Sequence, residues 1–388
     1  MKHTLHSLVG GLLALCGTAV CTAAHAQRLT ARPAAAPVTV FAEGEAGYAG
    51  FRIPAIVRTA DGALIAFAEA RRNDKRDSGD IDLVMRRSED DGRTWGPIAI
   101  VWDDAGNTCG NPAPVVVGDE GEVVLLATWN RGGDRERAIE RGASEETRRV
   151  YVLRSADHGR TWSPAEEITA AVKEPGWTWY ATGPCHAIVK RRRPFAGRLV
   201  VPANHKLLDA EGGVVCRSQL LWSDDRGRTW RQGAVSQVGG NESSVAELSD
   251  GSLLLNMRHT DRADSLRLWA RSADGGTAWC DRGAHPELIE PRCQGSLLNL
   301  ERRGRPTRTL LFSNPHDPHQ RHNLSLCASH DDGRTWYHLL TLCAGPAAYS
   351  DLVRIDRDRV GVLYENGDAE ELYRRISFVP VTLKRHRR

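Results

Sequence analysis

Eight residues of the sequence could do chemistry and stand apart because they do not belong to its repeated pattern. They are four arginines, three carboxylates and one tyrosine: Arg52, Arg71, Asp77, Glu242, Arg258, Arg321, Tyr349 and Glu365. Arginine binds a carboxylate through paired hydrogen bonds, carboxyl groups transfer protons, and a phenol beside a base can act as a nucleophile. Function is therefore expected where these non-repeating residues meet.

The repeated pattern, which we call the Asp-box, indicates the elements that must position them. Ser-x-Asp-x-Gly-x-Thr-Trp occurs at Ser88, Ser155, Ser223 and Ser329, and a fifth, degraded copy at Ser272 has Ala278 in place of the threonine. Ser and Asp side chains can bond nearby backbone N–H groups, Gly allows positive φ, and Trp adds a large apolar body. The pattern predicts a hairpin turn clamped to its own sheet. Calcium binding by the aspartates is the alternative, but each turn lacks a second carboxylate at ligand spacing.

Short apolar runs between the boxes predict β-strands. They are rich in Val, Leu and Ile and are bounded by Gly, Asp or Asn, as in residues 63–68, 123–128, 199–202, 253–257, 309–313 and 360–364. Many short strands, with the same turn about every 50 to 70 residues, fit an all-β, six-bladed β-propeller in which five blades carry an Asp-box. A β-sandwich and a β-helix compete, but neither explains so long a repeat. The best helix candidate is residues 135–148.

The N-terminal 26 residues have the layout of a secretory signal. Lys2 precedes an apolar stretch, and small residues end at Ala26, so cleavage is expected before Gln27. The protein is therefore expected to be exported, either to the periplasm or as a secreted protein, with a lipoprotein anchor at Cys21 as a weaker alternative. Residues 27–37 are expected to form a flexible arm, and residues 38–383 a single propeller domain. No later segment is long and apolar enough to span a bilayer.

Composition argues against several functional classes. The 52 basic and 49 acidic residues nearly balance at a net charge of +3, so nucleic acid is not the leading partner. The basic run at residues 384–388 is expected to be a solvated tail. Two of the nine cysteines lie in the signal, which leaves seven in the rest of the chain. An odd number of cysteines without CxxC spacing argues against a metal cluster or a fully paired disulfide framework. One or two disulfides stay open.

The Asp-boxes, the Phe51-Arg52-Ile53-Pro54 segment and the order of the residues after it resemble the bacterial exo-sialidases (neuraminidases), a family of six-bladed propellers, over residues 38–383. The resemblance implies that Arg52, Arg258 and Arg321 form a triad that binds the substrate carboxylate. It also implies that Tyr349 is the nucleophile and Glu242 its general base.

The same resemblance implies roles for the remaining three residues. Asp77 resembles the acid/base aspartate, Arg71 the arginine near the 4-hydroxyl of the sugar, and Glu365 the carboxylate that orients Arg52. Competitors exist for two of the carboxylates. The competitors of Asp77 are three nearby aspartates, Asp74, Asp80 and Asp82. The competitor of Glu242 is Glu247, which lies five residues further on, where strand geometry would turn it to the opposite face.

The substrate that the resemblance implies explains the choice of residue types. Sialic acid carries a carboxylate on its anomeric carbon, which guanidinium groups recognise bidentately. A carboxylate nucleophile about 4 Å away would be repelled by ~4 kcal/mol at an effective dielectric of 20. A neutral phenol avoids that repulsion, and a tyrosine nucleophile is the recognised exception that sialidases make to the two-carboxylate scheme of glycosidases.

The sequence therefore predicts a retaining exo-α-sialidase that acts without metal or organic cofactor on sialylated glycoproteins, glycolipids or oligosaccharides. Hydrolysis of another acid sugar, such as Kdn or Kdo, and trans-sialylation are alternatives, and a non-catalytic sialoglycan-binding propeller is the alternative from a different class. Gly183-Pro184-Cys185 departs from the Gly-Pro-Gly that the family often has. Four aromatic residues are candidates to line the pocket: Trp129, Trp177, Trp179 and Tyr180.

Overall fold

The protein, described by a computed structural model over residues 29–261 and 264–385, is almost entirely β-structure. Its helical segments are single turns: a 3-10 helix at Glu45–Gly47, α1 at Glu136–Glu140 and α2 at Thr169–Val172. No helix within the described ranges is long and apolar enough to cross a membrane. The predicted signal peptide, residues 1–26, and the last three residues of the predicted tail lie outside the described residues.

The strands form the six antiparallel blades of a propeller, which follow one another along the chain, and a parallel bridge between Ile81 and Thr108 joins the sheets of blades 1 and 2. Two N-terminal strands, β1 (Leu29–Pro33) and β2 (Val38–Ala42), precede blade 1, which contains β3 (Gly50–Arg58), β4 (Leu64–Arg71), β5 (Ile81–Ser88) and β6 (Ala99–Trp102). Blade 2 contains β7 (Thr108–Val117), β8 (Glu122–Asn130), β9 (Arg149–Ser155) and β10 (Glu166–Glu167). Blade 3 contains β11 (Trp177–Thr182), β12 (Ile188–Val189), β13 (Leu199–Leu208), β14 (Val214–Ser223) and β15 (Arg231–Val238). The six-bladed, all-β fold predicted from the repeats is confirmed.

Blade 4 contains β16 (Gly240–Glu247), β17 (Leu253–His259), β18 (Leu266–Ser272) and β19 (Asp281–Ile289). Blade 5 contains β20 (Ser296–Asn299), β21 (Leu310–Pro315) and β22 (His322–Ser329), and blade 6 contains β24 (Arg359–Asn366) and β25 (Arg375–Arg385), with β23 (Tyr337–Arg354) between them. The 18-residue strand β23 serves two blades: its first half pairs with β22 in blade 5 and its second half with β24 in blade 6. The innermost strands of the six blades surround the central channel.

The hydrophobic core lies between neighbouring blades. Where blade 6 meets blade 1, one buried cluster contains Phe41, Phe51, Ile56, Val353 and Phe378. Full burial of each such side chain stabilises the fold by roughly 1.5 to 3 kcal/mol. Equivalent clusters between the other blades hold the channel-lining strands in place, which fixes the side chains at their ends.

Each Asp-box is a turn held by its own side chains. In blade 2, the hydroxyl of Ser155 donates to Asp157 Oδ1 at 2.7 Å and accepts from the backbone N–H of Gly159 at 2.8 Å. Asp157 also accepts from the backbone N–H of Thr161 at 2.9 Å and from its hydroxyl at 2.6 Å. Both carboxylate oxygens of Asp157 are therefore used within the turn, which accounts for the aspartate without a metal.

Close packing explains the glycine, and a neighbour compensates for the irregular fourth box. Gly92 has φ of +86°, and a Cβ there would lie 2.1 Å from the ring of Phe378. In the fourth box Ala278 still donates its backbone N–H to Asp274 at 3.0 Å. Burial opposes ionisation of Asp274, but hydrogen bonds, the side chain of Thr277 among them, lower its pKa to about 2. The side chain of Thr277, the residue before Ala278, thus takes the place of the missing threonine hydroxyl.

The Asp-boxes lie at the opposite end of the blades from the predicted site. In blade 1, Ser88 pairs with Leu64, which pairs with Arg58 on the innermost strand. Arg52 pairs instead with Glu69. Arg52 and Arg58 are six residues apart on the innermost strand, which corresponds to about 20 Å at roughly 3.3 Å per residue. The Asp-boxes therefore hold the blades together and lie far from the predicted site residues.

The N-terminal arm predicted for residues 27–37 is wrong for Leu29–Pro33. These residues form β1, which pairs with the end of β25 so that Leu29 lies opposite Arg385. The physical reason is that β25 is the outermost strand of blade 6 and its edge needs a partner; β1 and β2 supply it and close the ring. Lys384 and Arg385 consequently belong to β25 and not to a solvated tail.

Two further expectations are refined. The helix predicted at residues 135–148 is only α1, Glu136–Glu140, and the chain turns away at Gly142, which has φ of +64°. All seven cysteines of the described part of the chain are free, and five of them are buried.

The structure predicts that Asp157→Ala lowers the free energy of unfolding by about 1 to 3 kcal/mol at pH 7. The reason is that the hydroxyls of Ser155 and Thr161 and the backbone N–H groups of Arg160 and Thr161 lose their shared acceptor. Burial opposes, but hydrogen bonds from Thr161 and Ser155 outweigh it and lower the pKa of Asp157 to about 2. Since the folded pKa lies below the unfolded value of about 3.9, this stabilisation is present above pH 4 and is lost as the pH falls towards 2.

Urea unfolding of wild type and Asp157→Ala at pH 7, 4 and 3 measures this difference. Asp119→Ala, which alters an exposed aspartate outside the boxes, is the control and should match wild type. Equal stability of Asp157→Ala and wild type at pH 7 would show that the box does not clamp its blade.

Candidate active site

All eight residues singled out in the sequence come together at one end of the central channel. They belong to four blades: blade 1 supplies three, blades 4 and 6 two each, and blade 5 one. A continuous chain of contacts joins them, running through Arg71, Asp77, Arg52, Glu365, Tyr349, Glu242 and Arg258, with Arg321 against the ring of Tyr349.

Irregular pairing in the innermost strands turns these side chains into the channel. The register shifts between Arg52 and Ala55 in blade 1, after Gly240 in blade 4 and after Ala347 in blade 6. Such bulges leave residues unpaired and re-aim their side chains. Ile53 has φ of +60°, which strains a β-branched residue by on the order of 1 to 3 kcal/mol.

Tyr349 and Glu242 form the centre of the site. The phenol of Tyr349 donates to Glu242 Oε1 at 2.5 Å, and Arg258 Nη1 donates to Glu242 Oε2 at 2.7 Å and to the phenol oxygen at 3.1 Å. Tyr349 is only 5% exposed. The arrangement places a proton acceptor on the phenol and a positive charge beside its oxygen.

The electrostatics of this pair favour a neutral phenol beside an ionised carboxylate. Burial and the charge of Glu242 raise the pKa of Tyr349 well above its usual value, against the opposing effect of the nearby arginines. Burial would also raise the pKa of Glu242, but Arg258 and the hydrogen bond from Tyr349 outweigh it and lower that pKa. The phenol therefore carries the proton before any reaction, and Glu242 is free to accept it.

Glu365 holds both Arg52 and Tyr349. Its two oxygens accept from Arg52 Nε at 3.1 Å and Nη2 at 3.2 Å. It also accepts from the backbone N–H groups of Ile53 at 2.8 Å and Tyr349 at 3.2 Å. A fully buried carboxylate thus orients one arginine, anchors the strained Ile53 and fixes the backbone of the tyrosine.

Arg321 completes the ring of cations around Tyr349. Its guanidinium carbon lies 5.4 Å from the centre of the Tyr349 ring, and that of Arg52 lies 5.2 Å away. Arg321 donates to the phenol oxygen of Tyr373 at 2.7 Å and to the carbonyl of Arg292 at 3.3 Å. The three arginines of the predicted triad therefore surround one aromatic ring.

Asp77 is the aspartate of its loop that reaches the site. Its Oδ1 lies 2.7 Å from Arg71 Nη2 and 3.4 Å from Arg52 Nη1, while its side chain is 59% exposed. Burial opposes, but the charges of Arg71 and Arg52 lower the pKa of Asp77. The two arginines therefore favour the ionised form of Asp77.

The competing carboxylates have other partners. Asp74 bonds to Arg76 at 2.7 Å, and Asp80 lies 3.6 Å from Arg72. The buried Asp82 accepts from Tyr48 at 2.5 Å, and Glu247 pairs with Lys190 at 2.9 Å. Within the described part of the chain, none of these four carboxylates forms an ion pair with any of the eight site residues.

Sequence reasoning missed a second layer of residues behind the site. Glu69 accepts from Arg71 at 2.8 Å and from the backbone N–H of Asn111 at 3.0 Å. Arg148 donates to the Asn111 side chain at 2.7 Å and lies 4.0 Å above the ring of Trp179. Glu69 thereby links blade 1 to blade 2, and Arg148 links blade 2 to blade 3, so no local pattern could reveal these two links.

The aromatic candidates divide between site and scaffold. Trp179 packs against the guanidinium of Arg148 in this second layer. Trp177 stacks on His205 with ring centres 3.4 Å apart, Tyr180 is fully buried, and Trp129 donates to Asp104 at 2.6 Å. None of these three contacts the eight residues through a hydrogen bond or ring contact within the described part of the chain.

A cavity of about 620 Å³ opens at the other end of the channel. Its lining includes Ile56, Val245 and Leu352, which follow Arg52, Glu242 and Tyr349 along β3, β16 and β23. Charged residues at the ends of the same strands also line it, among them Arg58, Glu247 and Arg354. None of the eight site residues lines it. The eight residues therefore converge at the opposite end of the channel from this cavity.

Comparisons with known proteins show which family this chain resembles. A family model for a BNR repeat-like domain matches residues 62–362. A sialidase of Bacteroides fragilis is 30% identical over 352 residues, which are 86% of this chain and 63% of that protein. A sialidase of Micromonospora viridifaciens is 31% identical over 336 residues, 84% of this chain and 51% of that protein. The chain thus spans less than two thirds of both curated relatives.

A solved structure extends the match to three dimensions. The Hadza microbial sialidase Hz136 is 31% identical with a TM-score of 0.77, and the match covers 89% of this chain and 68% of that chain. The family model, this structural match and the six-bladed Asp-box fold show that the chain belongs to the sialidase family of BNR-repeat propellers.

Proposed function

We propose that the protein is a retaining exo-α-sialidase that hydrolyses terminal sialic acid from glycoproteins, glycolipids or oligosaccharides. The observation that carries the proposal is the hydrogen bond of 2.5 Å between the buried phenol of Tyr349 and Glu242, inside a ring of three arginines. A phenol paired with a carboxylate base is the arrangement that a nucleophilic tyrosine needs.

Arg52, Arg258 and Arg321 are proposed to bind the substrate carboxylate. A carboxylate bound by the three guanidiniums around Tyr349 would bring the anomeric carbon that carries it next to the phenol oxygen. Charge-assisted hydrogen bonds of this kind are short and directional. Holding the carbon there converts an encounter into an intramolecular attack.

The proposed reaction proceeds in two steps. The phenol oxygen of Tyr349 forms a bond to the anomeric carbon while its proton moves to Glu242, and Asp77 protonates the departing glycosidic oxygen. Water then attacks the same carbon with Asp77 as base, the bond to the phenol oxygen breaks, and Glu242 returns the proton. Two inversions at one carbon retain its configuration.

Asp77 must gain a proton before it can act as the acid. Arg71 and Arg52 favour its ionised form. A substrate carboxylate bound to Arg52 would compete for the same guanidinium and add a like charge, and both changes favour the protonated form of Asp77. Substrate binding would thus prepare its own general acid.

The alternatives differ in what the site must do. Kdn or Kdo hydrolysis and trans-sialylation use the same arginines, and the acid sugar and acceptor distinguish them. A sialoglycan-binding propeller would need the arginines alone. The bonded pair of Tyr349 and Glu242, with Asp77 at the site's open side, favours an enzyme.

Tyr349→Phe is expected to lower kcat/KM for a fluorogenic α-sialoside at least about 10³-fold, because the phenol oxygen that attacks is removed. Turnover is followed with sialic acid, Kdn and Kdo glycosides in parallel. Tyr151→Phe, which removes a phenol from blade 2, is the matched control and should retain wild-type activity. Unchanged turnover by Tyr349→Phe would rule out the nucleophile, and no turnover of any acid sugar by folded wild type would rule out the enzyme.

Asp77→Asn is expected to slow substrates with poor leaving groups selectively. For a sialylated disaccharide, kcat should fall about 10² to 10⁴-fold, whereas an aryl sialoside, whose phenolate leaves without protonation, should be cleaved in the first step almost as fast. Rapid-mixing measurement of aryl release separates that step. Asp74→Asn alters the same loop and is the control. Equal losses for both substrates would contradict the role of general acid.

A further inference from the structure

Tyr373, a residue of the segment between β24 and β25, contacts two arginines of the site at once. The guanidinium carbon of Arg52 lies 3.9 Å from the centre of its ring. Its hydroxyl accepts from Arg321 Nη1 at 2.7 Å. One face and one oxygen of a single side chain therefore set the positions of two cations relative to each other.

Of the three triad arginines, Arg321 depends most on Tyr373, because the other two are paired with carboxylates. Arg52 pairs with Glu365, and Arg258 pairs with Glu242. Arg321 makes no ion pair with any residue in the described part of the chain, and its acceptors are Tyr373 and the carbonyl of Arg292. A phenol oxygen directs Arg321 without neutralising it, so its charge stays available to an anionic ligand.

The segment that carries Tyr373 is itself fastened at several points. The backbone N–H of Tyr373 donates to Glu371 Oε1 at 2.9 Å, and Glu371 Oε2 pairs with Lys75 at 3.0 Å. The carbonyl of Lys75 accepts from Arg71 Nη1 at 2.6 Å. The segment is therefore tied to the loop that holds Asp77, and Tyr373 is rigid enough to act as a support.

We infer that Tyr373 is a positioning residue that holds Arg52 and Arg321 at the separation at which both bind one substrate carboxylate. The inference rests on the proposed function, since it assigns the carboxylate as the shared ligand. Burial raises the pKa of Tyr373, so the side chain stays a neutral phenol under working conditions. Stacking of a guanidinium on an aromatic face leaves its N–H donors free at the edge.

Two substitutions separate the two contacts. Tyr373→Phe keeps the ring against Arg52 and removes the acceptor of Arg321, whereas Tyr373→Leu removes both. KM for a fluorogenic α-sialoside should rise about 5-fold in Tyr373→Phe and about 50-fold in Tyr373→Leu, with kcat within about three-fold of wild type, because carboxylate binding is shared by ground and transition states. Glu370→Gln, in the same segment, is the control.

A binding measurement distinguishes positioning from a general structural role. Calorimetry gives Kd for 2-deoxy-2,3-didehydro-sialic acid and for its carboxamide, and wild type should prefer the acid. That preference should fall by the same 5-fold and 50-fold factors, roughly, in the two variants, since only the acid uses the paired arginines. An unchanged preference in folded Tyr373→Phe and Tyr373→Leu would overturn the inference.

The same experiment separates this inference from the proposed reaction. Wild type that binds the acid selectively but cleaves no acid sugar would refute hydrolysis and leave the positioning role supported. Normal turnover with an unchanged acid preference in both variants would refute the positioning role alone. Wild type without any preference for the acid would overturn both.

Discussion

The structure depends on keeping three guanidiniums close together around one buried phenol. Like charges at such distances repel, and burying them without partners is costly. Glu365 balances Arg52 through two hydrogen bonds, Glu242 balances Arg258, and Tyr373 orients Arg321 without cancelling its charge. The residual positive charge is what an anionic sugar would meet on entering the site.

This balance can be built only where separate blades meet. Arg52 and its partner Glu365 are 313 residues apart, and Tyr349 and Glu242 are 107 apart. The propeller supplies the meeting point because the innermost strands converge on one channel, and the bulges in these strands turn the side chains inward. The Asp-boxes act at the far ends of the blades, and the pairing of β1 with β25 closes the ring that keeps all positions fixed.

The fold was accessible from sequence because its main signal is local. Ser155, Asp157 and Thr161 contact one another within a few residues, so the pattern carries its own geometry, and five copies indicate blades. The eight site residues were identified through resemblance to a family. Tyr373 and Arg148 had no such signal, since Tyr373 contacts Arg52 and Arg321 in other blades. Arg148 contacts Trp179 in the next blade and Asn111 37 residues away. The strand at Leu29–Pro33 was missed for the same reason, because its partner is at the other end of the chain and its Pro/Ala-rich surroundings suggested an arm.

The central claim, that Tyr349 attacks the anomeric carbon, can be tested by trapping the covalent intermediate. Wild-type protein is incubated with 2,3-difluorosialic acid, in which fluorine slows breakdown of the glycosyl-enzyme, then digested and analysed by tandem mass spectrometry. The account predicts one fluorosialosyl group on the phenol oxygen of Tyr349. An adduct on Glu242 or Asp77 instead would contradict it.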